Sequence, residues 1–265
     1  NKLYNSLSNY TNNVFLFPMD DFLTSEALAI SPDLMINRLE TINSIISCEK
    51  CIVITNLMGY LRFLPEKKVY ENSILSLKNG DIIEPAILTE KLVSLGYSRD
   101  TLVNKTGEFG VRGFVIDIFP IDEEYPLRIE FFDDEIESIR LFDIPTQCSK
   151  ETRDSVDVLP ASDLLFNEEE KEKIKTKLLE RLTLDQTSLD EEKQLLLKQK
   201  VELDMDNLSY NVVKSTLYPY YGYLQNEHYS ILDYASSSVT LIVDERACVQ
   251  SSNTLLEEEA HYFLE

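Results

Sequence analysis

Residues 107–149 constrain the fold more than any other stretch. Val111 to Phe119 is dense in β-branched and aromatic residues, and Pro120 stops it. Asp122-Glu123-Glu124 with Pro126 makes a polar turn. Leu127 to Phe132 follows, then the acidic turn Asp133-Asp134-Glu135, then Ile136 to Phe142. Apolar runs of this length, bounded by Pro and Asp, predict an antiparallel meander. The middle run has a readable period, because strand side chains alternate between faces. Leu127, Ile129 and Phe131 fall on one face, the expected core side. Arg128, Glu130 and Phe132 fall on the other. An Arg beside a large exposed aromatic is the composition of an interface anchor. Alternation leaves a second reading open: an outer face that meets a helix of the same domain, with Arg128 paired to Glu130 or Glu135.

The flanks read differently. Leu3, Leu7, Tyr10 and Val14 have helical spacing, and Val14 to Phe17 is a short buried strand ended by Pro18. Ser31-Pro32 opens a helix, with Ser at the cap and Pro at the first helical position. Its apolar side is Leu34, Ile36, Leu39, Ile42 and Ile46. Cys51 to Thr55 is a second strand, and Leu57 to Phe63 a short helix. Strand, helix, strand, helix over residues 1–65 predicts part of a parallel α/β layer of nucleotide-binding type. Lys67 to Tyr70 reads as a strand or linker opening a second domain, 66–151, in which the meander is joined by a helix around Thr89 to Leu95. A third region, 152–265, starts near Leu159-Pro160-Ala161. It holds a charged helical stretch over 167–206, broken at Thr183 to Ser188. Asp190-Glu191-Glu192 supplies negative charge to the start of its second helix. The aromatic turn Tyr218 to Tyr223 reads as interdomain packing. A strand at Val239 to Val243 runs into Asp244-Glu245, and Leu255 to Leu264 closes the chain as a helix. Both chain ends read as boundaries within a longer protein.

Composition excludes several function classes. Forty-seven acidic residues against 25 basic ones give a net charge of −22. Nucleic-acid affinity rests on cations that neutralise phosphates, so weak or no DNA binding is expected. No apolar run reaches the roughly 18 residues that a membrane helix needs, and the first residues lack the blocks of a signal peptide. Cys48-Glu-Lys-Cys51 has metal-ligand spacing, but Cys148, Cys248, His228 and His261 are isolated in sequence. Reduced thiols of a cytoplasmic protein are expected, with no metal site.

Asp244-Glu245 after an apolar strand has the form of a Mg²⁺-positioning strand end. Such a strand needs a Gly-rich loop with Lys and Ser/Thr to hold phosphates. No Gly-x-x-x-x-Gly-Lys-Ser/Thr occurs, and the chain has only seven glycines. Asp244-Glu245 is therefore expected to cap a strand without chemistry. Neither histidine sits in a nucleophile motif. No catalytic residue and no cofactor are expected.

A resemblance adds to this reading. Gly107-Glu108-Phe109, Val111-Arg112-Gly113, Ile116-Asp117-Ile118-Phe119-Pro120, Arg128 to Ile136, Ile139-Arg140, Phe142-Asp143 and Thr146-Gln147 resemble the second domain of the bacterial transcription-repair coupling factors (Mfd). A looser version of the pattern occurs in UvrB. Phe17-Pro18 with Asp21, Arg38-Leu39 and Leu61 to Pro65 extend the match upstream. Leu159-Pro160-Ala161 and the Asp244-Glu245 strand extend it downstream. The fold implied is degenerate RecA-like, helicase-type α/β parts around a mixed α+β domain with an antiparallel sheet. The function implied is recruitment of the UvrA ATPase to RNA polymerase stalled at a lesion, for nucleotide excision repair. In the whole protein, a motor in later domains would act on DNA and polymerase, and a C-terminal domain would cover the UvrA surface at rest. The UvrA-contacting residues carried over are Arg112, Arg128 and Phe132. Strict alternation groups Arg112 with Phe114, Ile116 and Ile118, so a bulge at Gly113 is expected to turn it outward. Phe114 stands where the family commonly has Gly, and Cys148 where it commonly has Arg. The alternative function is the nucleotide-binding half of a UvrB-like helicase.

Overall fold

The computed structural model describes residues 2–19, 32–47, 50–185, 190–224, 229–235 and 239–262. The chain divides into two compact units: residues 1–63 with 229–265, and residues 64–228.

In the first unit, β1 (Val14–Phe17) pairs in parallel with β2 (Ile52–Thr55), with Val14 opposite Ile52. Helix Pro32–Ser47 makes the crossover between them. It buries Leu39 and Ile42 completely, and Thr41 Oγ1 donates to the Leu16 carbonyl at 2.7 Å, fastening helix to strand. Asn56 caps the short helix Leu57–Tyr60 by accepting from Gly59 N at 2.8 Å. A side chain at Gly59 would lie 2.4 Å from Thr55 Oγ1 and 2.7 Å from the Phe17 carbonyl, so this close approach requires glycine. Ser31, Cys48 and the Ser31 cap lie outside the described residues.

The expected strand at 239–243 is not formed. Val239, Leu241, Ile242 and Val243 are exposed, without regular hydrogen bonding. Asp244 caps a helix rather than a strand: its Oδ1 accepts from Ala247 N at 3.0 Å, opening helix Glu245–Tyr262. Among the described residues the parallel layer is two strands wide. The protein is a mixed α/β chain with one parallel and two largely antiparallel assemblies.

The second unit is built on a sheet. Its strands are β3 (Leu75–Lys78), β4 (Ser98–Arg99), β5 (Glu108–Arg112), β6 (Val115–Ile118), β7 (Leu127–Phe132), β8 (Glu135–Phe142), β9 (Ser149–Arg153) and β10 (Ser155–Val158). The six from β4 to β9 pair in sequence order, and β3 pairs separately with β10. Only the β4–β5 pair of the six is parallel. The run from Val111 to Phe119 is two strands, not one. Gly113-Phe114 forms a two-residue turn between Arg112 and Val115, with Gly113 at φ +61°, the first-position glycine that such hairpins favour. The β5–β9 core face buries Phe109, Ile116, Ile118, Leu127, Ile129, Phe131 and Ile139. Each such side chain contributes about 1.5–3 kcal/mol.

Lys67 to Asn72 is helical rather than extended. The compact units do not follow the three segments read from the sequence, because residues 152–224 are tied to the sheet unit. Ala161 N donates to the Leu95 carbonyl at 2.8 Å, and Tyr97 Oη donates to the Leu159 carbonyl at 2.8 Å. Helices Glu168–Asp185 and Glu191–Ser209 follow, the second capped by Asp190. The tyrosine run is a 3-10 helix, Ser215–Tyr223, packed inside this unit. Tyr221 is buried and donates to the Leu165 carbonyl at 2.8 Å, with its ring 4.7 Å from Phe166.

Candidate partner-binding face

The outer face of the sheet is built by alternation. Arg112 ends β5, Asp117 lies on β6 opposite Arg128 on β7, and Arg128 lies opposite Arg140 on β8. Glu130 is opposite Val115 and Ser138. Phe132 pairs with Glu135 at the tip of the β7–β8 hairpin, where Asp133 takes φ +57°.

Two charge clusters result. In the first, Asp117 receives both arginines. Arg128 Nε donates to Oδ1 at 2.7 Å and Nη2 to Oδ2 at 2.9 Å, a two-point fork. Arg112 Nη2 donates to the same Oδ2 at 2.5 Å. The carboxylate side chain is 7% exposed and that of Arg128 13%, whereas that of Arg112 is 46% exposed. The bonds to Asp117 push the Arg128 guanidinium further above its already high pKa, against the opposing effect of burial. Arg128 also lies over the Phe142 ring at 4.1 Å, within cation–π range. In the second cluster, Glu130 accepts from Ser138 Oγ at 2.9 Å and from Arg140.

A loop closes on the first cluster. Arg128 Nη2 donates to Gln147 Oε1 at 2.7 Å, and Gln147 Nε2 donates to the Ile144 carbonyl at 2.8 Å. Asp143 shapes this loop: its Oδ2 accepts from Thr146 N at 3.0 Å and from Thr146 Oγ1 at 2.6 Å. These two bonds hold the Asp143 carboxyl below its ordinary pKa.

The three predicted residues are on this face, with differences in detail. Arg112 and Arg128 meet on Asp117. Phe132 is 74% exposed and lies four residues along β7 from Arg128, roughly 13 Å away. Arg112 reaches the outer face through the Gly113-Phe114 turn, which resets the alternation, and not through a bulge. The bulges are at Glu130/Phe131 and Leu141/Phe142 instead. Arg128 pairs with Asp117 and not with Glu130 or Glu135. Sequence reasoning gave Asp117 and Gln147 no role. The available signal was a single carboxylate between Ile116 and Ile118 in a strand, which must find cationic partners once buried.

The face, counted by its arginines and acids in these two clusters, carries Arg112, Arg128 and Arg140 against Asp117 and Glu130. That is an excess of one positive charge in a chain of net −22. Such a sheet with paired arginines and an exposed aromatic has the make-up of a protein-recognition module. Residues 75–164 match the family described as UvrB interaction domain. Over nearly its whole length the chain is similar to transcription-repair coupling factors. It is 34% identical to the transcription-repair-coupling factor of Bacillus subtilis over 252 residues, 95% of this chain and 21% of that protein. It is 31% identical to that of Staphylococcus aureus strain RF122 over 257 residues, again 95% of this chain and 21% of the relative. The chain thus spans about a fifth of the length of these relatives. No described helix is long and apolar enough to cross a membrane.

Proposed function

We propose that this chain is the interaction module of a transcription-repair coupling factor, and that the outer sheet face recruits UvrA for nucleotide excision repair. The observation that carries the proposal is the convergence of Arg112 and Arg128 on Asp117, on the face from which Phe132 projects. Among the described residues Arg112 spends one of its five N–H donors, on Asp117, and its side chain is 46% exposed, which leaves donors for a partner. A planar guanidinium fork fits a carboxylate in a way lysine does not. Phe132 would supply the desolvated apolar contact. In the full-length protein, the translocase, RNA polymerase and DNA functions and the covering C-terminal domain would belong to the remaining four-fifths of the chain. The module itself would hold no nucleotide, since it has no phosphate-loop sequence.

Calorimetry with purified UvrA tests this. Arg112→Ala and Phe132→Ala should each weaken binding by about 2 kcal/mol or more, hot-spot size, in proteins that remain folded. If neither change alters UvrA binding, the face assignment is wrong.

A further inference from the structure

Arg128 is gripped from several sides. Asp117 holds Nε and Nη2, Gln147 Oε1 takes a further Nη2 hydrogen, and Phe142 lies against the guanidinium plane. Three of the five N–H donors are therefore used inside the protein, leaving the two on Nη1. A residue so held, with its side chain 13% exposed, offers a partner only its Nη1 edge. Gln147 is the exposed member of the group, and it sits at φ +57°. A non-glycine residue in this left-handed region costs stability relative to glycine. The strain is held by hydrogen bonds from both atoms of the side-chain amide: Oε1 accepts from Arg128 and Nε2 donates to the Ile144 carbonyl.

We propose that Asp117 and Gln147 are positioning residues of the recruitment face: together they lock Arg128 as a strut, which fixes Arg112 and the 143–148 loop in the geometry that receives a carboxylate of the partner. This rests on the reading of the face as the UvrA surface. Asp117 anchors both arginines from below the face. Gln147 ties the outer end of Arg128 to a loop whose own shape is set by Asp143 and Thr146. Loss of either leaves the charges present but no longer aligned.

The two positions separate a positioning role from a merely structural one. Gln147→Gly removes the amide with its two hydrogen bonds and also relieves the left-handed backbone, so the two effects on thermal stability oppose each other and the net change should be small. Its affinity for UvrA should nevertheless drop roughly tenfold, the size of one hydrogen bond to a charged group. Asp117→Asn leaves two arginines facing a neutral amide. Its affinity should fall by more than that of Gln147→Gly, with a steeper loss as salt is added, because the extra positive charge binds without alignment. Titrations of the whole chain with UvrA, beside Phe132→Ala as the reference, read out both. Parent-like binding by Gln147→Gly, with Phe132→Ala impaired, overturns the positioning role and leaves the UvrA surface standing. Tighter binding by folded Asp117→Asn also overturns it, since charge alone would then suffice. Unchanged binding in all three removes the UvrA surface itself. If Asp117→Asn fails to fold, Gln147→Gly alone decides.

Discussion

The strands of the six-stranded sheet find their partners nearby in the chain, whereas the more apolar strands of the two-stranded parallel layer do not. In the sheet, strands β5 to β9 pair with their sequence neighbours across short turns. Each strand meets its neighbour within a few residues, so closure costs little chain entropy. In the parallel layer, β1 reaches β2 only after a crossover of 34 residues, numbers 18–51, that includes a helix. A run such as Val239 to Val243, apolar on both faces, is suited to the middle of a parallel sheet. Among the described residues it has no strand beside it. Local antiparallel pairing makes a domain self-sufficient; parallel pairing leaves a segment dependent on chain elsewhere.

Several measurements would break or sharpen this contrast. The largest effect should come from the inner face of β7. Phe131→Ala should cost about 3–5 kcal/mol of unfolding free energy in denaturant titration, since the residue is only 6% exposed. Phe132→Ala, one residue on, should change stability by about 0.5 kcal/mol or less. The reverse order would turn the strand inside out. Arg128→Ala should fall with the core changes, at about 3 kcal/mol or more, because it leaves the nearly buried Asp117 carboxylate without its main partner. A near-neutral Arg128→Ala would mean that Asp117 is solvated in solution.

The parallel layer is tested by what it should not do. Calorimetry with ATP and Mg²⁺ should give no heat at micromolar nucleotide; saturable binding would restore a nucleotide site to this layer. The smallest effect concerns the loop at Gln147. Asp143 has a depressed carboxyl pKa, from its bonds to Thr146. A depressed folded-state pKa contributes stability above the unfolded value and loses it as pH falls through the folded one. The Thr146 and Gln147 amide signals in NMR should therefore move at a pH below the ordinary carboxylate range. Movement at the ordinary value would show that the Thr146 bonds are not kept in solution.

How much was legible in the sequence follows from the same contrast. The β7 faces could be read from alternation because that strand is half-buried, with Leu127, Ile129 and Phe131 inside and Phe132 outside. Val111 to Phe119 reads as one strand because Phe114 looks like a strand residue; only Gly113 marks the turn, and its φ +61° is the reason it is there. The bulge expected at Gly113 is a two-residue turn instead, and that turn carries Arg112 to the outer face. Asp117 and Gln147 escaped because their roles arise from pairing between strands and a loop 19 residues from Arg128, as with the Arg128–Gln147 bond. Asp244 reads as a strand end because an apolar run followed by an acid fits that pattern as well as the helix cap it forms.

The short segment after β3 has a consequence for how a partner can approach. Gly80 N donates to the Ile136 carbonyl, Ile136 N to the Asp81 carbonyl, and Ile83 N to the Asp134 carbonyl. These bonds occupy the side of β8 that faces away from β7 at its first residues, and β9 occupies it from Ile139 to Phe142. The backbone around the Phe132 hairpin is thus already spoken for on that side. A visiting polypeptide cannot join there by adding a strand, the commonest way an open sheet margin captures a peptide. On the proposed reading of the face, recognition would rest on side chains standing off it, selective for shape and charge, and the same occupied margin guards against indiscriminate self-association.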